Sequence, residues 1–367
     1  MTSYDRLISV LSQKIPDRIP ISTYELVGWN KDSWENQQDS YKPLMNYIRE
    51  NTDCMYMIGV PTINKYVNEH IVIKKSEQGA STFIRTILET PRGEISKLDR
   101  MDQGLNTVWH IEHFVKTDGD LDKYMSIPDE FLPVSTNHVK AAEELLGDKG
   151  ILMVDIPDPI CKAAELFDFG EYTVKAYTDQ VVFTKLLDKI FEQQMFFLQD
   201  VLKKGAGPLF RIVGPEYATP PFLRSKQFYD YVYRYDKQMI RLIHDHGKYA
   251  RIHCHGRIRE ALKHIVDMEA DALDPIEAPP SGDIDIKDIK KAYGNNICLM
   301  GNLQLKDLEY ASPEQMKDIV KRAIQEGKPG GGFVIMPTAS PINASLSETT
   351  LRNYKIFIDT AIEYGKY

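Results

Sequence analysis

The sequence lacks the long apolar run that a membrane-spanning helix needs. No stretch approaches the roughly 20 consecutive apolar residues that cross a bilayer, and the N-terminal segment has no apolar signal core. Positive charge is also scarce, since 45 Lys and Arg face 53 Asp and Glu for a net charge of −8. This balance argues against a nucleic acid or an anionic membrane bound by bulk electrostatics. We therefore expect a soluble, cytoplasmic protein with neither partner.

Cysteine is sparse, and its spacing is irregular. Cys54, Cys161, Cys254 and Cys298 are scattered, which indicates neither a disulfide framework nor a Cys-rich zinc site. We expect them to be small core residues. No G-x-G-x-x-G motif follows an apolar run, so the usual dinucleotide fingerprint is absent. With 367 residues, 43% of them hydrophobic, the chain can bury a large core, and we expect a single domain over 1–367.

What the sequence does contain is a series of short apolar strands that alternate with helical stretches. Eight strands are predicted, at 19–25, 54–58, 151–156, 208–213, 250–255, 271–276, 297–301 and 333–336. From the third onward the alternation is strict, which predicts an α/β fold with a parallel sheet, most naturally a (β/α)8 TIM-type barrel. A doubly wound open sheet is the alternative. Residues 65–100 instead alternate around Gly79 and Gly93, which predicts a β-hairpin insertion after an N-terminal extension.

Residues 249–277 hold the strongest functional signal. Alternation along the predicted strand 250–255 directs His253 and His255 to the same face. A stretch of helical spacing, about 257–268, and a second strand then lead to Glu277. Because neighbouring parallel strand ends lie side by side, two imidazoles and one carboxylate could meet as metal ligands with an open position. The alternative is a histidine pair that binds an anionic substrate or donates hydrogen bonds.

Other polar residues collect at the predicted C-terminal strand ends, where a barrel carries its active site. Glu216 lies in a largely apolar loop and is predicted, with His255, to be catalytic, as a general base or substrate contact. Ordinary structural roles are the alternative: carboxylates often cap helices, and short polar side chains often satisfy loop backbone groups. The candidate substrate contacts are Tyr24, Glu25, Asp155, Tyr217, Asn302 and Ser340.

Several segments, taken in order, resemble the uroporphyrinogen decarboxylase-like superfamily, which includes zinc-dependent, corrinoid-linked methyltransferases. They are DRIP at 17–20, TPRG at 90–93, LFDFG at 166–170, HCHG at 253–256, Gly301-Asn302 and PTASP at 337–341. The resemblance covers nearly the whole chain. Decarboxylases of this family carry an arginine-rich segment after the first strand, which holds the acidic groups of a tetrapyrrole. This chain has STYELVG at 22–28, so porphyrinogen decarboxylation is not expected.

The related methyltransferases place H-x-C at the fifth strand end, sometimes a glutamate after the sixth strand, and a cysteine after the eighth. The resemblance assigns His253 to the histidine, His255 to the first cysteine position, Glu277 to the glutamate and 338–340 to the last cysteine, so both thiolates are missing. Thiolate zinc sites suit thiol acceptors. A His-His-Glu zinc site is harder and is better matched to an oxygen ligand.

The resemblance therefore implies a methyltransferase that moves a methyl group from an O-methyl donor, such as a methoxylated aromatic, to cob(I)alamin. It implies bound zinc, and cobalamin carried by a corrinoid protein partner. One alternative is a methylcobalamin-dependent transferase acting on a thiol or pterin. The others are a porphyrinogen-type decarboxylase and a non-catalytic ligand-binding homologue. A homodimer is compatible with all of these interpretations.

Overall fold

The computed structural model describes residues 1–367, with thirteen strands and sixteen α-helices. The strands are β1 (Cys54–Gly59), β2 (Ile63–Asn64), β3 (Ile71–Gln78), β4 (Ser81–Thr90), β5 (Gly93–Asp102), β6 (Trp109–Glu112), β7 (Phe131–Leu132), β8 (Gly150–Pro157), β9 (Leu209–Val213), β10 (Tyr249–His253), β11 (Ala272–Asp274), β12 (Cys298–Leu303) and β13 (Phe333–Pro337). The helices are α1 (Ser3–Leu11), α2 (Trp34–Gln37), α3 (Lys42–Asn51), α4 (Lys65–His70), α5 (Asp118–Met125), α6 (Asn137–Leu146), α7 (Pro159–Ala164), α8 (Phe169–Thr178), α9 (Gln180–Lys203), α10 (Ser225–Phe228), α11 (Arg234–Asp245), α12 (Leu262–Asp267), α13 (Ile286–Tyr293), α14 (Leu305–Tyr310), α15 (Pro313–Gly327) and α16 (Glu348–Tyr364). Two 3-10 turns (Gly147–Lys149 and Pro215–Ala218) and a π turn (Tyr229–Tyr233) complete the elements.

Seven strands form one parallel sheet in the order β1-β8-β9-β10-β11-β12-β13. Residues 19–25 lie between its two edges: Ser22 N donates to Ile335 O at 3.0 Å, and Asp53 N donates to Ile21 O at 2.7 Å. The (β/α)8 architecture is therefore confirmed. The predicted first strand, however, is reduced to an isolated bridge between Ile21 and Ile335. Pro20 explains part of this difference, because proline has no N–H to add to a ladder.

The barrel has an inner and an outer core. The outer core packs the sheet against the surrounding helices, and strands buried on both faces read as continuous apolar runs. In the inner core, Leu7, Val10 and Leu11 of α1 pack among inward-facing strand residues. Because α1 also contacts the turn directly before β8, it plugs the N-terminal end of the barrel. Polar groups are thereby left to the opposite, C-terminal end.

The predicted hairpin insertion is present and extends further than predicted. Strands β3 to β6 form a four-stranded antiparallel sheet that continues to Glu112. Leu88, Ile95 and Ile127 form a small core beneath it. All four cysteines are free and buried, as predicted. No helix is both long and apolar enough to span a bilayer.

Two predicted elements near the histidines are shorter than the sequence indicated. Helical structure between the fifth and sixth barrel strands is limited to α12, Leu262–Asp267, and the strand predicted at 271–276 is β11, Ala272–Asp274. Pro275 follows β11 directly and cannot donate a ladder hydrogen bond. The chain therefore leaves the sheet before Glu277 and can turn that side chain back toward the C-terminal end of the barrel, which is called the mouth below.

Candidate active site

His253 is the last residue of β10, and its imidazole is held by Asp274 of β11. The two residues are paired in the parallel ladder, and His253 Nδ1 lies 2.7 Å from Asp274 Oδ2. Burial works to raise the pKa of Asp274, but the Arg251 guanidinium and then His253 hold that pKa well below its usual range. Burial also lowers the pKa of His253 to about 3. The imidazole is therefore neutral, with its proton on Nδ1 and a lone pair on Nε2.

A second chain of contacts reaches His253 Nε2 from the other side. Arg211 donates from Nη1 to Asp155 Oδ1 at 2.9 Å and from Nη2 to the Tyr24 hydroxyl at 3.0 Å. The Tyr24 hydroxyl lies 3.4 Å from His253 Nε2. Burial raises the pKa of Tyr24, so the phenol keeps its proton and can direct it at the imidazole. Tyr24, Asp155 and His253 thus belong to one network.

His255 lies beside His253 and is oriented by a different carboxylate. The two rings are 4.6 Å apart and nearly perpendicular, at 86°. His255 Nδ1 lies 3.3 Å from Glu277 Oε2, and the same oxygen accepts the Gly256 N–H at 2.8 Å. Burial works to lower the pKa of His255, but the Glu277 contact raises it overall. The two histidines therefore lie together as predicted, although the strand predicted at 250–255 ends at His253 and His255 lies two residues beyond it.

Two further carboxyls line the mouth without a basic partner. Glu216 lies in the 3-10 turn after β9, and its Oε2 is buried with no hydrogen-bond partner. Glu25 lies at the rim, where part of the residue is exposed to solvent and the rest is covered by neighbouring residues. Burial raises the pKa of both carboxyls. Each is therefore a better proton donor near neutral pH than an ordinary glutamate.

The two imidazoles have the orientation of metal ligands, but the three predicted ligands do not surround one point. Each ring has Nδ1 on a carboxylate, the arrangement that leaves Nε2 for a metal. A metal ion would replace the long Tyr24 contact at His253 Nε2. Glu277, however, contacts His255 Nδ1, and the structure contains no group of three or more His, Cys, Asp or Glu side chains arranged to hold a metal ion. The donors fit in kind and orientation, and a direct Glu277 ligand stays a prediction.

The sequence profile described as Uroporphyrinogen decarboxylase (URO-D) matches residues 103–364. The chain belongs to this family. Among solved structures, it is similar to a methyltransferase from Methanosarcina mazei, with 14% identity, 99% of each chain covered and a TM-score of 0.62. It is also similar to D-psicose 3-epimerase from Clostridium cellulolyticum H10, with 9% identity, 64% and 85% of the two chains covered and a TM-score of 0.39. Comparison with curated proteins gives no match.

In this member of the uroporphyrinogen decarboxylase family, three predicted contacts lie outside the histidine network. Tyr217 packs against Phe169, with ring centroids 6.2 Å apart, and its backbone carbonyl accepts a hydrogen bond from Tyr172. Asn302 lies within β12, and its side chain makes no hydrogen bond. Ser340 lies just beyond β13, and its hydroxyl is buried without a partner. None of these three residues forms a hydrogen bond or a ring contact with His253 or His255.

Sequence reasoning missed three residues that hold the site together: Arg211, Arg251 and Asp274. Arg251 Nε donates to Asp274 Oδ1 at 2.5 Å, and Arg211 and Arg251 are ladder neighbours that point into the barrel. Each of the three residues is embedded in an apolar strand. That pattern was the available signal, because a charge inside a buried strand is costly unless it is paired.

Proposed function

We propose that this chain is a methyltransferase that takes a methyl group from an O-methyl donor, such as a methoxylated aromatic compound, and passes it to the cob(I)alamin of a separate corrinoid protein. The observation that carries the proposal is the pair of imidazoles at the mouth, each with Nδ1 on a carboxylate and Nε2 left for a ligand. The full-length likeness to a methyltransferase of M. mazei supports it.

The charges at the mouth favour a small neutral donor over a porphyrinogen. Glu25, Glu216 and Glu277 all face this region, and Arg211 is already paired with Asp155. A substrate with several carboxylates would meet three acidic side chains, of which only Glu277 has a basic neighbour, His255. The segment 22–28 also has no arginine to receive such groups. These features speak against the decarboxylase alternative.

The chain's own residues have roles in methyl transfer that follow from their environments. The methyl carbon–oxygen bond breaks with its electron pair left on oxygen, and cob(I)alamin supplies the pair for the new bond to carbon. Because burial raises the pKa of Glu216, this carboxyl keeps its proton nearer to neutral pH and can give it to the departing oxygen. The rings of Tyr24 and Tyr217 offer apolar faces to an aromatic donor.

Zinc would be held by His253 and His255, with Asp274 and Glu277 fixing the two rings. When bound, zinc would supply Lewis-acid polarisation of the donor oxygen. The neutral state of His253 suits this role, because a metal ligand needs the Nε2 lone pair. The cobalamin belongs to the partner protein and acts as the methyl acceptor.

The proposal is tested with purified protein, a corrinoid protein reduced to cob(I)alamin and a panel of methoxylated aromatics. We expect the absorption spectrum to change to that of methylcobalamin with at least one donor. His255→Ala should abolish both the zinc content and this conversion, whereas His246→Ala should change neither, because His246 bonds only the Leu242 carbonyl at the end of α11. A flat spectrum across the panel would remove the proposal.

Two other outcomes identify the alternatives. Consumption of methylcobalamin with a thiol or a pterin, in the absence of any ether, would reverse the direction of transfer. Tight binding of an anionic ligand by metal-free protein, without turnover, would identify a binding homologue. Full zinc content in His255→Ala would mean that the ligands were chosen wrongly, even if methyl transfer itself were observed.

A further inference from the structure

Two aspartates behind the proposed site are fully buried and lack the donors that a buried carboxylate needs. Asp158 precedes α7, and Asp236 lies in the first turn of α11; both are 0% exposed. Asp158 Oδ1 accepts the Cys161 N–H at 2.7 Å. The other oxygen of Asp158 and both oxygens of Asp236 have no hydrogen-bond partner. Three buried carboxyl oxygens are therefore unsatisfied, where even one is costly.

The ionisable groups that face this pair are acids, thiols and phenols. Glu216 and Tyr217 face it from the turn after β9, Cys161 from α7, Tyr172 from α8 and Cys254 from the residue after β10. Neither aspartate forms an ion pair with a Lys, Arg or His. No protein cation is therefore available to neutralise two negative charges.

The hydrogens of these neighbouring groups are directed elsewhere. The Tyr172 hydroxyl donates to the Tyr217 carbonyl at 3.1 Å. Cys161 Sγ lies 3.9 Å from Glu165 Oε1, and Cys254 Sγ lies 4.0 Å from the carbonyl of the next residue. Tyr217 makes no hydrogen bond to either aspartate. Among the protein's own groups, the remaining hydrogen that could satisfy the unpartnered oxygens is a proton on one of the two carboxyls.

The pKa directions of the two aspartates also indicate that one carboxyl keeps its proton. Burial raises the pKa of Asp158 well above its usual value, and the pKa rises further whenever Asp236 is ionised as well. Burial likewise raises the pKa of Asp236. Two carboxyls that share a dry environment cannot both ionise, and such a pair commonly retains one proton. Asp158 is the better site for the charge, because it already accepts the Cys161 N–H.

Asp158 also lies against the turn that carries Glu216. Asp158 N donates to Val213 O at 2.8 Å, at the end of β9. A Cβ placed on Gly214 would lie 2.1 Å from Asp158 Oδ1, so this backbone packs directly on the carboxyl. α7 contacts both this turn and the π turn that precedes α11. A bond between the aspartates would therefore tie α7, which contacts the turn at 215–218, to α11, which continues from the π turn.

We propose that Asp236 retains its proton at neutral pH and donates it to Asp158 Oδ2, and that this carboxyl–carboxylate hydrogen bond positions the 214–218 turn and its Glu216. Asp158 and Asp236 are positioning residues, since neither reaches the mouth. The shared proton goes beyond the proposed methyl transfer and does not depend on it.

Proton linkage tests the shared proton. At neutral pH both aspartates are ionised in the unfolded chain, so folding takes up one proton. The folding equilibrium constant therefore falls tenfold for each unit that the pH rises. Asp236→Asn can donate to Asp158 through its amide without a bound proton. We expect the ratio of the wild-type to the Asp236→Asn folding constant, from urea unfolding, to fall about tenfold per unit between about pH 6 and 8. A pH-independent ratio would overturn the proposal.

Two variants provide controls for this slope. Asp168→Asn alters an exposed N-cap aspartate that accepts the Gly170 N–H at 2.9 Å, and it should leave the slope unchanged. Glu216→Gln removes the separate contribution of Glu216, whose own buried carboxyl also titrates. If Asp236→Asn does not fold, infrared spectroscopy of native protein with 13C-labelled aspartate decides. A protonated aspartyl carboxyl band at pH 8 is expected, and its absence contradicts the shared proton.

Hydrogen exchange tests the positioning role without any activity measurement. The Tyr217 and Thr219 amides donate to Gly214 O at 2.9 Å and Glu216 O at 3.1 Å. Asp236→Leu cannot make the bond to Asp158, so we expect these amides to exchange at least tenfold faster than in Asp236→Asn at the same pH. Equal exchange in the two variants would show that the pair does not hold the turn.

Discussion

Replacing Arg251 by methionine should destabilise the protein severely, although the new side chain would suit its surroundings. Arg251 is 1% exposed. Its Nη atoms contact methionine sulfurs, with Met153 Sδ nearest at 3.2 Å, and its oxygen partner is Asp274 at 2.5 Å. The substitution therefore adds a thioether to a thioether-rich core but removes the charge that compensates Asp274.

The magnitude follows from the burial of the pair. Removing one partner of a buried ion pair costs about 3–5 kcal/mol, because the other charge is left uncompensated. Only the neutral His253 imidazole would still hydrogen-bond Asp274. Replacing both partners by neutral groups is often close to neutral in free energy. We therefore expect the double variant Arg251→Met with Asp274→Asn to recover most of the loss, to within about 2 kcal/mol of wild type.

Urea unfolding at pH 7 measures both effects. Arg241→Met is the matched control, because Arg241 is an exposed arginine on α11 and forms no ion pair; we expect it to change stability by less than about 0.5 kcal/mol. A loss below about 1 kcal/mol in Arg251→Met would contradict the argument that the pair is desolvated. A double variant no more stable than the single one would show that packing, not charge, determines the cost.

Three further predictions concern other buried groups. Asp53→Ala should cost about 3–5 kcal/mol in urea unfolding, because it leaves Arg18 without a carboxylate, leaves Arg6 with Asp17 alone and unpairs the buried Ile21 N–H; the exposed Asp148→Ala should cost little, and similar losses in both would contradict this. The raised pKa of Glu216 means that its folded form holds a proton above the unfolded pKa, so its contribution to stability falls as pH rises from about 4.3 toward the folded pKa. Glu216→Gln should therefore gain stability relative to wild type across that window, and a constant difference would refute the assignment. Gly214 has a φ of +127°, and a Cβ added there would lie 2.1 Å from Asp158 Oδ1, whereas nothing lies within 4 Å of a Cβ added at Gly79. Gly214→Ala should therefore cost more stability in urea unfolding than Gly79→Ala. Equal losses of stability would mean that the turn shifts to accommodate the methyl group.

The barrel could be predicted because parallel strands that are buried on both faces appear in the sequence as short apolar runs between helices. The first strand could not be assigned correctly in this way, since its apolar residues are buried but Pro20 limits its pairing. Burial and strand pairing are separate properties, and apolar pattern reports only the first. The end of β11 before Pro275 depends on the same missing N–H, and the strand predicted at 271–276 ran past it.

The site could be predicted only in part, for a related reason. Alternation was enough to place His253 and His255 together, because His253 ends β10 and His255 follows it by only two residues. Their partners come from other strands, and which carboxylate meets which imidazole depends on ladder register. Register pairs His253 with Asp274, whereas the sequence pointed to Glu277 alone. Arg211 and Arg251 could not be assigned from the local pattern, because the carboxylates that pair with them lie on other strands.

The isolated bridge at residues 19–25 gives the two sides of the mouth different stiffness. His253 ends a strand paired on both sides, with β9 and β11, and its ring is fixed by a buried carboxylate. Tyr24 and Glu25 end a segment that joins β13 through the Ile21 bridge, and on the other side Asp53 takes the place of a ladder. Segments with few backbone pairings open at lower free energy than laddered strands. A substrate could therefore enter by displacing the tyrosine side of the mouth while the histidine side stays in register.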